Sequence, residues 1–258
     1  MSCYLNKFPS EIFHLIFQYL WAHEILYSFG NISSYIDNIL SNYQNYRINF
    51  ESIRKSHFDL VCRQMRPEQV VSLILSDKSE TPNLSELFWS LFSIKQFRRL
   101  RSLKLIEIED DVESYVLDLS ELPHLMSLEI DVKIDMPFII SSPLLERIII
   151  NTPENMHFSI DPFIAAIRYE QVRHLSLCNS SCAQLQKIFQ RAVRLTSLKM
   201  SLAFLTTNEF ETFNHFHDKL AKLSPLTELS LSLNGAGECH ISREWCSTKF
   251  LFLVFLVI

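Results

Sequence analysis

The sequence predicts an α/β protein in which a small helical module precedes a longer region of stacked strand-and-return units. Two observations lead to this prediction. Residues 8–45 contain three short segments with apolar residues at helical spacing, and the region after residue 69 repeats an apolar-x-x-apolar-x-apolar pattern. We expect a helical module at 1–45, a helical connector at 46–69, a repeat region at 70–248 and an apolar tail at 249–258.

The composition excludes several classes of function. The 258 residues are 48% hydrophobic and 21% charged, which is typical of a globular chain. The net charge of −5 lacks the basic excess that nucleic acids and anionic membranes require. With only three glycines, the chain cannot form the glycine-rich loops that bind nucleotide phosphates. We therefore expect no cofactor, no nucleic-acid partner and no membrane partner.

The cysteines are expected to be free thiols. No secretory signal is visible, because the first apolar run carries Glu11 and His14. This favours a reducing, cytoplasmic or nuclear compartment. The pair Cys178-x3-Cys182 and the group Cys239-His240 with Cys246 lie about 60 residues apart, in different repeats. Structural zinc usually needs two matched halves, so we expect buried apolar cysteines and no metal.

The first helical segment, Phe8 to Leu20, is apolar around far more than one face. Eight of its thirteen residues are apolar. A surface helix needs an apolar stripe of only about 100°, so the excess must be covered by the rest of the chain or by another protein. We expect another protein, because little chain precedes this helix that could cover its outer side.

The ends of the three helices have recognisable signals. Pro9 suits the first position of a helix, where its missing N–H costs nothing. The second segment, 24–29, is expected to stop at Gly30-Asn31. Ser33 or Ser34 is expected to cap the third helix, which continues to about Tyr43.

The order of these residues resembles the F-box over about 38 residues. That family opens with Leu-Pro-x-Glu and continues with an Ile-Phe or similar pair and then Tyr-Leu. The matching segments here are Phe8-Pro9-Ser10-Glu11, Ile16-Phe17 and Tyr19-Leu20, with Phe8 in place of Leu and no Arg-Trp pair near the third helix. The resemblance implies that a Skp-type adaptor binds to Phe8, Pro9, Ile12, Ile16, Phe17, Leu20 and Leu26. We expect the core of the module to contain Phe13, Phe29 and Ile36.

The apolar pattern after residue 69 occurs seven times, with middle residues 20 to 31 positions apart. Alternation over its last three positions predicts a short strand with one buried face. The copies begin at Val70, Leu100, Leu125, Leu145, Val172, Leu195 and Leu226. Returns with helical spacing are expected at 84–97, 182–193 and 208–223.

A strand and a return repeated at this interval resemble a leucine-rich-repeat solenoid with a parallel sheet of about seven short strands. The family's Asn or Cys after each strand is matched only at Asn234, so we expect an irregular arc. Strand residues facing away from the core would line the concave surface and bind a protein substrate. These candidates are Ser102, Lys104, Ser127, Glu129, Arg147, His174, Ser197 and Lys199.

One basic cluster stands out before and within the second copy. It comprises Arg98, Arg99, Arg101 and Lys104. Cations are favoured at the C-terminal turn of a helix, and a docking patch for a partner is the alternative.

An F-box-like start joined to leucine-rich repeats resembles the substrate receptors of cullin–RING ubiquitin ligases. The resemblance implies a non-catalytic subunit that holds a protein substrate, with a Skp-type adaptor and through it a cullin as partners. No Ser, His and acid set falls at catalytic spacing, so we expect no enzyme. The alternative is a repeat scaffold whose N-terminal helices only cap the solenoid, because a solenoid needs capped ends.

Nine apolar residues follow Lys249. A membrane span needs about 20. We expect a truncated end that exposes an apolar strand, with a buried terminal strand and a membrane tail as the alternatives.

Overall fold

The computed structural model describes residues 4–108, 119–132, 142–151, 167, 169–180, 187–188, 190–202, 226–233 and 237–242. These residues form an α/β fold with five α-helices and a nine-stranded sheet. The helices are α1 (Ser10–Phe17), α2 (Ala22–Phe29), α3 (Ser34–Asn42), α4 (Lys55–Gln64) and α5 (Leu84–Leu91). The strands are β1 (Tyr46–Asn49), β2 (Val70–Ser76), β3 (Ser102–Ile108), β4 (Ser127–Val132), β5 (Arg147–Asn151), β6 (His174–Ser180), β7 (Ser197–Leu202), β8 (Glu228–Leu233) and β9 (Gly237–Ser242).

The strands lie in the sheet in the same order as in the chain. Each pair from β1 to β8 is parallel, and β9 runs antiparallel to β8. Strands β2 to β8 coincide with the seven apolar patterns, which confirms them as strands of a parallel sheet. Their middle residues pair across the sheet, from Leu73 with Leu103 to Leu198 with Leu229.

Two strands were not predicted. The 46–69 segment, expected to be a helical connector, begins with β1 and becomes helical only in α4. Tyr46 and Ile48 of β1 are buried while Arg47 between them is exposed, so this short run has the alternation of a strand. Strand β9 has no apolar pattern, and it pairs with β8 in the antiparallel direction.

A single hydrophobic core runs from the helices into the sheet. Helix α2 packs against both α4 and β1. On the sheet side, the ring of Phe50 lies with its centroid 4.8 Å from that of Phe58 and 5.6 Å from that of Phe88. The N-terminal helices and the first strands therefore stabilise each other.

The predicted cap of α3 and the predicted stop of α2 are observed, but other helix ends differ. Pro9 lies at the N-cap position of α1 rather than at its first helical position, and α2 begins at Ala22 rather than at residue 24. The Ser33 side chain accepts a hydrogen bond from the Ile36 N–H at the start of α3. Helix α2 ends at Phe29, and Asn31 takes a left-handed φ of 60°. Helix α1 ends at Phe17 rather than Leu20, because Tyr19 and Leu20 donate to carbonyls three residues back and tighten the chain into a turn.

The N-terminus of helix α5 is capped by the side chain of Asp77, which lies seven residues before the helix begins. Asn83, at the N-cap position, has a left-handed φ of 56° and makes no side-chain capping bond. The buried Asp77 carboxylate instead accepts hydrogen bonds from the N–H of Ser85, at 2.8 Å, and from the Ser85 hydroxyl. Asp77 follows β2 directly, so this contact ties the end of a strand to the start of the next helix.

Asp77→Ala is expected to lower the free energy of unfolding by about 1–3 kcal/mol, because the Ser85 N–H loses its acceptor in a buried position. Asp77→Asn keeps an oxygen acceptor and is expected to lose less. Urea denaturation of the three proteins measures the difference. Equal stability of the Ala variant and the wild type would show that the helix does not need this cap.

Among the described residues, none of the helices combines the length and the apolar character that a bilayer crossing demands.

Candidate protein-binding surfaces

Helix α1 carries two apolar rows on different sides. Phe13 and Phe17 face the core and are buried, and their rings lie 6.1 and 5.2 Å from the ring of Phe29. The second row is exposed and is called here the α1 outer row. It consists of Phe8 (48% exposed), Ile12 (40%), Leu15 (54%), Ile16 (41%) and Tyr19 (86%). Spacings of three and four residues place Ile12, Leu15 and Ile16 on one side of the helix. Phe8 and Tyr19 lie just before and just after α1.

The predicted adaptor-binding residues divide between surface and core. Phe8, Pro9, Ile12 and Ile16 are exposed, and Leu20 is partly buried against the core. Phe17 and Leu26 are buried, which corrects the prediction that they face an adaptor. Phe17 lies one turn after Phe13 in the inward row, and Leu26 follows Ile25 on the buried side of α2. Both are assigned to the core.

The predicted core residues of the module are placed as follows. Phe13 and Ile36 are buried, which confirms them. Phe29 is partly buried and packs against the same core.

Two members of the α1 outer row, Leu15 and Tyr19, were missed by the sequence prediction. Leu15 follows Ile12 by three residues, and Tyr19 follows Leu15 by four, so helical spacing from Ile12 would have identified both. Tyr4 and Tyr27 are also strongly exposed aromatic residues of the helical module.

Hydrogen bonds hold both ends of the α1 outer row. Before α1, the Tyr35 hydroxyl donates to the Phe8 carbonyl at 2.8 Å, and the Ser33 hydroxyl donates to Asn6 Oδ1 at 2.7 Å. After α1, Arg47 donates to the Gln18 carbonyl at 3.2 Å, and its guanidinium lies 4.6 Å from the centroid of the Trp21 ring. The apolar row is thus presented by a helix that is tied to α3 on one side and to β1 on the other.

The face of the sheet opposite the core carries two rows of side chains in register. The first sheet row is Ser72, Ser102, Ser127, Arg147, His174, Ser197 and Glu228. The second sheet row is Ile74, Lys104, Glu129, Ile149, Ser176, Lys199 and Ser230. All eight predicted substrate-binding residues fall in these rows. Arg147, His174 and Lys199 are exposed, and the other five are partly buried.

Neighbouring strands exchange polar contacts on this face. Lys104 Nζ lies 2.8 Å from Glu129 Oε1, and the Ser197 hydroxyl donates to Glu228 Oε2 at 2.7 Å. These contacts make the face largely polar and mixed in sign, apart from Ile74 and Ile149 in the second sheet row.

The ends of the first strands, near Glu51, Glu107 and Asp131, are acidic. Lys78 donates a hydrogen bond of 2.6 Å to Glu51, and this contact raises the pKa of Lys78. Burial raises the pKa of the Asp131 carboxyl, and the neighbouring Glu107 adds to the shift. Lys78 and Lys104 oppose this shift in the pKa of Asp131, so charges of both signs meet at this end of the strands.

The starts of the strands are joined by a ladder of backbone hydrogen bonds. The carbonyl of Arg101 accepts from the N–H groups of both Met126 and Ser127, each at 2.9 Å. The same two-donor arrangement recurs at the following strands. Its acceptors are the carbonyls of Arg101, Met126, Glu146, Arg173 and Thr196. We call this edge the amino rim of the sheet.

A cavity of about 370 Å³ lies between the helical module and the connector. Polar groups that line this cavity already form hydrogen bonds with other groups of the chain. Asp37 Oδ1 accepts from the Asn31 N–H at 2.9 Å, and Gln69 Nε2 donates to the Ser41 carbonyl at 2.7 Å. We therefore assign this cavity no ligand.

The described cysteines do not form a reactive or metal-binding site. Cys62 and Cys178 form no disulfide with a described cysteine and are only partly buried, which corrects the expectation of full burial for Cys178. Burial raises the pKa of Cys62 to about 12, so this thiol stays protonated at neutral pH. The side chains of Cys182, Cys239 and Cys246 lie outside the described part. Within that part, no three His, Cys, Asp or Glu side chains are grouped to hold a metal ion.

Two histidines stack where α2 meets α4. The rings of His23 and His57 lie 5.3 Å apart and 19° from parallel. Burial lowers the pKa of His23 below its usual 6.5, Glu24 opposes the shift, and His57 adds to it.

Acidification is expected to destabilise the fold through His23. Because its pKa is lower in the folded state, the unfolded chain takes up the proton first as the pH falls below about 6.5. The free energy of unfolding is therefore undiminished by His23 above that pH, and it decreases as the pH falls toward the pKa of His23 in the folded state. Urea denaturation between about pH 7.5 and 5.5 measures the loss. The variant His23→Gln should have a flatter profile, and an identical profile would assign the pH dependence to other groups.

No protein-family model matches this chain, and no curated protein sequence matches it significantly.

Proposed function

We propose that this protein is the substrate-recognition subunit of a cullin–RING ubiquitin ligase. The α1 outer row would bind a Skp-type adaptor, and through it a cullin, while the outer face of the sheet would bind a protein substrate. The subunit itself performs no chemistry and acts by bringing the substrate close to the ubiquitin-conjugating enzyme. This assigns the chain to the cytoplasm or the nucleus.

The observation that carries this proposal is the α1 outer row. A helix at the surface of a soluble protein normally turns its polar side to water. Helix α1 instead exposes Ile12, Leu15 and Ile16 in addition to its buried row, and Phe8 and Tyr19 at its two ends are exposed as well. Burial of an apolar side chain of this size contributes about 1.5–3 kcal/mol when it is complete. A stable interface covers at least about 1,000 Å² in total, so the row would form the apolar centre of a larger contact.

The substrate-binding half of the proposal is supported by the sheet. Strand units of 20 to 31 residues, stacked in chain order with their apolar residues in register, support the assignment to a leucine-rich-repeat solenoid. Such a solenoid presents one continuous face of strand residues, and here that face carries the two sheet rows, in which most side chains are polar.

One observation favours a second candidate, a repeat scaffold whose helices only cap the solenoid. Helix α2 packs on β1, the first strand of the sheet, and shares its core. A cap of this kind is needed by any stack of repeats. The scaffold accounts for the buried side of the helices and gives no role to the exposed side of α1.

Co-expression with a Skp-type adaptor and a cullin distinguishes the two. The proposal predicts a complex of the chain with the adaptor at a ratio of 1:1, measured by size-exclusion chromatography with light scattering. As a control, the chain is co-expressed with the cullin in the absence of the adaptor. The cullin is expected to bind the chain only when the adaptor is also present. A folded chain that elutes apart from the adaptor would favour the scaffold.

A further inference from the structure

Arginines are concentrated along the amino rim of the sheet. Arg98, Arg99 and Arg101 precede β3, Arg147 begins β5, and Arg173 precedes β6, and all five are exposed. Arg99 donates to Gln44 Oε1, and Arg173 lies 3.9 Å from Glu146. In the part of the chain that the structure describes, Arg98, Arg101 and Arg147 have no ion-pair partner.

The strand register sets the spacing of these charges. Ser102, which follows Arg101, pairs with Ser127, and Ser127 pairs with Arg147. Parallel strands lie about 4.8 Å apart, so the backbones at Arg101 and Arg147 are roughly 10 Å apart along the rim. About three residues of an extended peptide span that distance. The two serines between them are small and leave the space in front of the sheet open.

Two carboxylates near this rim already have a cationic partner. Glu146 faces Arg173, and Glu121 lies 3.1 Å from Lys95. The opposite end of the same strands carries Glu51, Glu107 and Asp131. At that end Lys78 already neutralises Glu51, so the arginines without an ion-pair partner at the amino rim are the stronger attraction for an anionic ligand.

We infer that the amino rim binds an acidic, extended peptide segment of a partner protein, with its carboxylates on Arg98, Arg101 and Arg147. The inference rests on the proposed function in one respect, because it names the substrate class of the same receptor. A guanidinium matches a carboxylate with two parallel hydrogen bonds. A nucleic acid fits less well, because the two sheet rows offer no Phe, Tyr or Trp on which bases could stack.

The test is binding of a fluorescein-labelled peptide of about eight residues with about six Asp and Glu, followed by fluorescence anisotropy with the full chain. The triple variant Arg98→Ala, Arg101→Ala, Arg147→Ala is expected to bind at least about tenfold more weakly. The matched control is Arg54→Ala, Lys55→Ala, Arg63→Ala, which removes the same charge from exposed positions on and beside α4 and should bind like the wild type. Thermal unfolding of both variants checks that the fold is kept.

Three results would overturn the inference. These are equal binding of the acidic peptide and a neutral one, unchanged affinity of the rim variant, and tighter binding of a single-stranded RNA of equal charge. The same rim variant should still capture the adaptor, because the α1 outer row is untouched. If the wild-type chain binds the peptide but not the adaptor, the proposed function is wrong and this inference stands. If the wild-type chain binds the adaptor but not the peptide, this inference is wrong and the proposed function stands.

Discussion

Ile12→Asp combined with Ile16→Asp is expected to abolish capture of a Skp-type adaptor while the chain stays folded. Both side chains are about two-fifths exposed and lie in the middle of the α1 outer row. A carboxylate buried at an apolar contact without a partner is strongly unfavourable. We expect at least a hundredfold loss of affinity, which corresponds to about 2.8 kcal/mol. Titration of immobilised adaptor with the purified variant measures the loss.

The matched control is Leu87→Asp with Leu91→Asp on α5. These leucines are also one turn apart and are exposed by 48% and 54%, so the chemical change is the same on another helix. The control should bind the adaptor like the wild type. Equal weakening by both pairs would mean that the added charge, rather than the position on α1, disturbs binding. Wild-type affinity of the α1 variant would contradict the assignment of this row to the adaptor.

Phe17→Ala, one residue beyond Ile16, is expected to lower the free energy of unfolding by about 3–5 kcal/mol. Phe17 is buried, and its ring lies 5.2 Å from the rings of Phe29 and Tyr43. Truncation leaves a cavity among aromatic side chains that cannot collapse to fill it. Urea denaturation followed by circular dichroism measures the change.

Tyr19→Ala is the control for the loss of an aromatic side chain. Tyr19 is 86% exposed, so its truncation is expected to change stability by about 0.5 kcal/mol or less. Similar stability of the Phe17 and Tyr19 variants would contradict the division of the helix into an inward and an outward row.

The strand region was predictable because its signal is repeated. Each copy places two apolar side chains at alternate positions, as in Leu103 and Leu105, and burial of that face determines both the strand and its register. Strand β1 carries the same alternation in Tyr46 and Ile48, but it stands alone among charged residues. Strand β9 has no alternation, because its place depends on the edge that β8 offers.

The candidate site was predictable only in part. Helix α1 is apolar on two sides, so spacing identifies its two rows but does not decide which one faces inward. The resemblance to the F-box assigned Phe17, and Leu26 of α2, to the adaptor, and both belong to the core. The decision comes from tertiary contacts such as the packing of Phe29 against Phe13 and Phe17. The cap that Asp77 supplies to α5 is equally invisible in the sequence, because eight residues separate it from Ser85.

The hydrogen bonds that join neighbouring strands at the amino rim are made chiefly by the main chain. Their strength therefore depends little on which residues occupy these positions. Each carbonyl in the ladder accepts from two main-chain N–H groups of the next strand, so successive units are joined mainly by the backbone. The hydroxyls of Thr196 and Thr227 add a third hydrogen bond at two of these carbonyls. Mutation can then replace the side chains at positions 101, 126, 146 and 173 at little cost to the architecture. Divergent copies of such a gene would be free to acquire new binding preferences along this edge while keeping the same scaffold.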